Sequence, residues 1–182
     1  MAIIFAFIIA VLVGGAAAGG WVRHRRSKLR ASFGPEYEHI VQEHDTSREV
    51  DRELRRRKSR HDGLDLQPIS PQDQEHYADS WNGLQAGFLD NPKRSLSGAE
   101  HLVATVIEAR GYPGDDLQEQ HALLSVEHAE ALADYRMAQH ISRHALSNFA
   151  ATPTEEMRQA LLSYHVLFAE ILDDSNASSA AR

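Results

Sequence analysis

The sequence predicts an all-α protein: an N-terminal transmembrane helix followed by a soluble helical bundle. Three observations predict this. Residues 2–22 contain no charged side chain. The rest of the chain repeats apolar residues at helical spacing between helix-start and helix-stop signals. No run of alternating β-formers appears, and no Asn-Gly or Asp-Gly turn joins two such runs. The expected organisation is a span at 2–22, a basic juxtamembrane and charged helical spacer at 23–62, a bundle at 63–172 and a disordered tail at 173–182.

The first element is AIIFAFIIAVLVGGAAAGGWV. About 20 apolar residues rising about 1.5 Å each cross the roughly 30 Å hydrocarbon layer. Trp21 closes it where an interfacial aromatic belongs. Arg23, Arg25, Arg26, Lys28 and Arg30 follow at once. Basic residues flanking a span stay on the cytoplasmic side, so the expected topology is single-pass in the cytoplasmic membrane, N-terminus outside and soluble domain inside. The same five side chains are the expected contacts with anionic headgroups. Cleavage near Ala16-Ala17-Ala18 and export to the envelope is the alternative, although no basic residue precedes the apolar stretch. Ala10, Gly14 and Ala18 recur every four residues, a spacing that lets two helix backbones approach, so they are the candidate face for a homodimer in the membrane.

The helix leaving the span is expected to break at Gly34-Pro35, with Pro35 opening a short segment edged by Tyr37, Ile40 and Val41. Thr46-Ser47-Arg48-Glu49 fits a capping box. The helix after it, to about His61, is mostly charged, with Val50 and Leu54 its large apolar residues. Leu64 to Ile69 reads as an extended connector, because Pro68 biases Gln67 away from the helical region. Ser70-Pro71 starts a helix with the stripe Tyr77, Trp81, Leu84 and Phe88. Asp90-Asn91-Pro92 marks a break and a restart. The next helix presents Leu96, Ala99, Leu102/Val103 and Val106/Ile107, and Gly111 sits where a left-handed terminal residue belongs. Asp115 or Asp116 begins a short helix to about Leu124. Ser125 is the expected cap of a long segment, 126–149, with the stripe Ala131/Leu132, Tyr135, Ala138, Ile141, Ala145 and Phe149. The last helix follows Thr154 and packs through Met157, Ala160/Leu161, Tyr164, Leu167/Phe168 and Ile171. From Asp173 the composition predicts fraying.

Charge narrows the functional classes. Up to Asp62 there are 12 Lys/Arg against 8 Asp/Glu; beyond it, 7 against 18. An acidic distal domain repels phosphates, so no nucleic acid is expected as a partner. Arg55-Arg56-Arg57-Lys58 and Arg60 lie among acids on their own helix and read as a solvated face. The chain has no Cys, which excludes thiolate metal sites, disulfides and a cysteine nucleophile. No phosphate-binding or dinucleotide motif is present, and Gly111-Tyr112-Pro113-Gly114 is better explained as a helix stop. The acid pairs Asp115-Asp116 and Glu155-Glu156 fall at helix starts, where capping explains them.

Eleven histidines raise a metal question. His140 and His144, four apart on a helix, share a face and are the candidate metal pair. They need a third ligand, and nothing in the sequence brings His121, Glu127 or His128 within reach. The reading is therefore no catalytic residue, no cofactor and no metal, with His140/His144 as the metal-binding or enzymatic alternative.

Leu29-Arg30-Ala31-Ser32-Phe33-Gly34-Pro35-Glu36-Tyr37, Arg110-Gly111-Tyr112-Pro113 and Thr154-Glu155-Glu156-Met157-Arg158-Gln159-Ala160 with Tyr164, Leu167 and Phe168 carry a further signal. Together they resemble an uncharacterised bacterial family of small single-span membrane proteins. The resemblance implies an anchor plus a helical domain and contributes no catalytic residue. The expected function is a non-enzymatic scaffold or interaction role at the inner membrane face, with the bilayer and an unidentified protein as partners.

Overall fold

The computed structural model describes residues 40, 47–148 and 152–180. The fold is all-α: six helices and no strand among the described residues. They are α1 (Ser47–His61), α2 (Pro71–Ala86), α3 (Pro92–Arg110), α4 (Leu117–Leu124), α5 (Ala129–Ser147) and α6 (Thr154–Ala180). None of them is long and apolar enough to cross a membrane. The expected span at 2–22, with Ala10, Gly14 and Ala18, and the basic cluster Arg23, Arg25, Arg26, Lys28 and Arg30 lie outside the described residues.

The helix α6 is the spine, packing along both α5 and α3, while α2 covers α3 and α1 rests on α4. The seam follows from the sequence period. Val103, Val106 and Ile107 of α3, Leu132, Tyr135 and Ala138 of α5, and Tyr164, Leu167 and Ile171 of α6 are all buried. Apolar residues at three- and four-residue spacing put one stripe of each helix inward. Tyr135 and Tyr164 meet edge to face at 5.5 Å, and Trp81 of α2 stacks on Phe168 at 5.2 Å. The Tyr164 hydroxyl donates to Ser142 Oγ at 2.9 Å, so this polar end in the seam has a partner.

The helix ends follow their capping chemistry. Ser70 accepts from the Asp73 amide at 3.1 Å with Pro71 at the first helical position. Asn91 accepts from the Arg94 amide at 3.0 Å, and Asp116 from those of Gln118 and Glu119 at 2.9 and 3.2 Å. Gly111 closes α3 at φ 105°, its amide bonding Glu108 O while that of Tyr112 bonds Ile107 O. A Cβ here would stand 2.9 Å from Asp65 O, so both the backbone angle and the close approach require glycine.

Two expectations are corrected, and one point the sequence leaves open is settled. Ser125 does not cap α5: its hydroxyl donates to Ala122 O at 2.7 Å, which finishes α4, and α5 starts at Ala129 with His128 before it. The tail expected from Asp173 is helical to Ala180. Ser175 is fully buried and accepts from the Ile69 amide at 2.5 Å, which ties the connector after α1 to the last turns of α6. The connector is also held to α3, because Gln67 N donates to Arg110 O and Arg110 Nη1 donates to Gln67 O, at 2.8 and 2.6 Å. The sequence leaves open whether the charged helix docks or projects, and α1 docks. Val50 and Leu54 are buried with Ile40, and Val126 packs against them.

Candidate functional site

Buried His61, Ser125 and His128 meet half-exposed carboxylates where α1, the α4–α5 turn and α6 converge. His61 ends α1; Tyr112 follows the α3 terminus; Ser125, Glu127 and His128 form the α4–α5 turn; Glu170 and Asp174 project from α6. The last two are four residues apart, hence on one helical face.

His128 is the centre of this junction and is 4% exposed. It occupies the position before α5 where a side chain commonly caps the helix, but it makes no cap hydrogen bond. Its ring turns instead to α6. Nδ1 lies 3.1 Å from Glu170 Oε2 and Nε2 lies 3.3 Å from Asp174 Oδ2. The imidazole is thus clamped between two carboxylates, one at each nitrogen. Glu127 adds a third: ligand atoms of Glu127, His128 and Asp174 lie within 4.8 Å of one another.

A second buried histidine supports Glu127. His61 Nε2 stands 3.5 Å from Glu127 Oε2 and 3.3 Å from the Tyr112 hydroxyl. The His61 imidazole holds the Glu127 carboxyl below the usual carboxylate range, against the opposing effect of burial. Burial, and then the Glu127 charge, push the Tyr112 phenol above its ordinary value. Nearby, the buried Arg57 donates from Nε to Glu53 Oε1 at 3.1 Å and from Nη1 to Ser125 Oγ at 3.3 Å. Arg60 reaches Glu119 of α4 at 2.5 Å. These contacts dock α1 through its charged face, using residues that read as solvated in the sequence.

No protein-family model, curated protein or solved structure matches this chain.

His140 and His144 are both exposed on α5. His144 Nδ1 contacts Thr152 Oγ1 at 2.9 Å, across the α5–α6 turn. Among the described residues, the one group of three or more possible metal ligands is Glu127, His128 and Asp174, so the fold does not give the α5 pair its third partner. His121 meets the Tyr135 ring edge-on at 5.8 Å. Of the basic run on α1, Arg56 pairs with Glu53 and Lys58 with Asp62, and Arg57 is buried. Asp116 caps α4, and Glu155 pairs with Arg158.

The sequence reading left out Glu170 and His61, assigned Asp174 to a tail and left His128 without a partner. One signal was available: Glu170 and Asp174 flank the apolar position Ile171 on one helix edge. The partner of that edge comes from 42 residues upstream, and only the fold supplies it.

A second depression, about 770 Å³, runs between α2 and α3 and is lined by His76, Tyr77, Leu84, Asp90, Arg94 and His101 among others. At Gly98 an added Cβ would stand 2.4 Å from Leu84 Cδ2. Its lining mixes charge, imidazole and apolar surface without a convergent set of polar groups.

Proposed function

We propose that this chain is a membrane-anchored helical protein whose bundle binds a protein partner, or a second copy of itself, at the inner face of the cytoplasmic membrane. The observation that carries the reading is the uncharged stretch 2–22 followed directly by Arg23, Arg25, Arg26, Lys28 and Arg30. The resemblance of its motifs to small single-span bacterial proteins agrees with it. The acidic balance of the distal part favours a protein or cationic partner over nucleic acid. Leu162 and Val166, one turn apart on α6, are large apolar residues left exposed, and they offer a partner an apolar foothold. Ala10, Gly14 and Ala18 provide the small-residue face for pairing within the membrane.

The test is a pair of C-terminal fusions: a fluorescent protein that matures in the cytoplasm and a phosphatase active only outside. Cytoplasmic fluorescence without phosphatase activity is the expected result. Phosphatase activity would overturn the topology and move the bundle to the envelope. Crosslinking in native membranes then tests the partner: a reproducible neighbour or a self-adduct is expected, and a consistently solitary monomer would sink the interaction role.

A further inference from the structure

We propose that His128 Nε2, Asp174 and Glu127 form a binding site for one divalent transition-metal ion, with Glu170 and His61 holding the ligands in place. A neutral imidazole ring has one N–H donor and one lone pair. Here both nitrogens face carboxylate oxygens, at 3.1 and 3.3 Å. If Nδ1–H donates to Glu170, the Nε2 lone pair points at Asp174 and two acceptors oppose each other. In a ring that is 4% exposed, such a mismatch is costly. It is relieved either by a second ring proton or by a cation between Nε2 and Asp174.

The surroundings favour the cation. A second proton on the ring satisfies Glu170 and Asp174 but gives no reason for a third carboxylate. Glu127 brings one, with its ligand atom within 4.8 Å of those of His128 and Asp174. The spacing is also suitable. A tetrahedral zinc ion with bonds of about 2.0–2.1 Å has ligand-to-ligand edges of about 3.3–3.4 Å. The Nε2 to Asp174 Oδ2 separation is 3.3 Å. Glu127, whose side chain is roughly half exposed, closes in by a rotamer adjustment.

The supporting shell has the pattern that metal sites use. A ligating histidine donates its other N–H to a carboxylate, which fixes its tautomer and raises its basicity. Glu170 Oε2, 3.1 Å from His128 Nδ1, is placed to accept that hydrogen bond. A ligating carboxylate is itself hydrogen-bonded, as His61 does for Glu127. One imidazole and two carboxylates suit zinc, cobalt, nickel or manganese, and the ordering of affinities makes zinc a strong probe. The half-exposed Asp174 side chain gives an entry path and leaves a fourth position for water.

The experiment is a Zn²⁺ titration of the chelator-stripped full chain in detergent micelles, against a competing chelator. A parallel Co²⁺ titration is read by its visible absorption. One ion per chain is expected, with the strong visible bands of a tetrahedral cobalt site. Asp174→Asn and His128→Gln should abolish stoichiometric binding. Glu170→Gln should weaken it about 10–100-fold, the usual effect of losing a supporting carboxylate. The double variant His140→Ala/His144→Ala should bind like the parent. Should His128→Gln not fold, Asp174→Asn and Glu170→Gln, at half-exposed side chains, decide. No stoichiometric ion would overturn the proposal. Binding that survives Asp174→Asn, or that disappears with His140 and His144, would overturn it equally.

Discussion

The seam between α3, α5 and α6 and the junction joining α1, the α4–α5 turn and α6, where buried histidines meet half-exposed carboxylates, are built by opposite means. The seam is apolar and repeats with the helix period, and its few polar ends, such as Tyr164 on Ser142, are paired locally. The junction is polar and aperiodic: two histidines, three carboxylates, an arginine and a phenol brought together from four places in the chain. Apolar burial is non-directional and scales with area, so a stripe of suitable residues is sufficient to specify the seam. Buried polar groups are stable only when each has a partner, so the junction depends on particular atoms in particular places.

The largest effect should come from the seam. Leu132 is fully buried on α5. Leu132→Ala should cost about 2–5 kcal/mol, the range for removing a leucine from a close-packed interior. Urea denaturation followed by helical circular dichroism measures it. A loss well under 1 kcal/mol would mean that the three-helix seam is not the stabilising core.

Why one region was legible and the other was not follows from the same contrast. Val103, Ile107, Leu132, Tyr135, Tyr164, Leu167 and Ile171 were all expected inward from spacing alone, and all are buried. The signals at Ser70 and Gly111, the restart at Asp90-Asn91-Pro92 and the start at Asp115 or Asp116 were equally readable, because each acts on backbone within a few residues. His128 and Asp174 carry no such local signature. A Ser-rich, acidic run reads as a fraying tail until Ser175 is seen bonded to Ile69, a contact across 106 residues. In the same way, a helix with nine charged residues from Glu49 to Arg60 reads as solvent-facing until its partners on α4 are placed.

The tyrosines sharpen the comparison by pH. Burial is the first cause that raises the phenols of Tyr135 and Tyr164 in the seam and of Tyr112 at the junction. Each folded phenol holds its proton more tightly than an unfolded one, whose pKa is about 10. Their contribution is therefore fully present below about pH 10 and is lost as pH rises through the folded values. The fall should approach about 1.4 kcal/mol per pH unit for each phenol. Denaturation midpoints between about pH 8 and 11 test this, and Tyr112→Phe should remove about a third of the slope. An unchanged slope in that variant would mean the junction is open enough for Tyr112 to ionise in place.

Two arginines carry the contrast to its smallest scale. Arg57 and Arg158 each pair with a glutamate one helical turn earlier, Glu53 and Glu155, at 3.1 Å for Arg57 Nε and 2.8 Å for Arg158 Nε. By geometry alone the Arg158 pair is the better one, because it also donates from Nη2 to the second oxygen. Arg57, however, is buried at the junction and also donates to Ser125, itself fully buried. Arg57→Ala removes charge-assisted hydrogen bonds and leaves the Ser125 contact unmade, for an expected loss of about 1.5–3 kcal/mol. Arg158→Ala should leave the denaturation midpoint unmoved, because water and salt replace an exposed pair. If the two variants behaved alike, the docking of α1 would rest on Val50 and Leu54, and the polar junction would be a consequence of that docking instead of its cause.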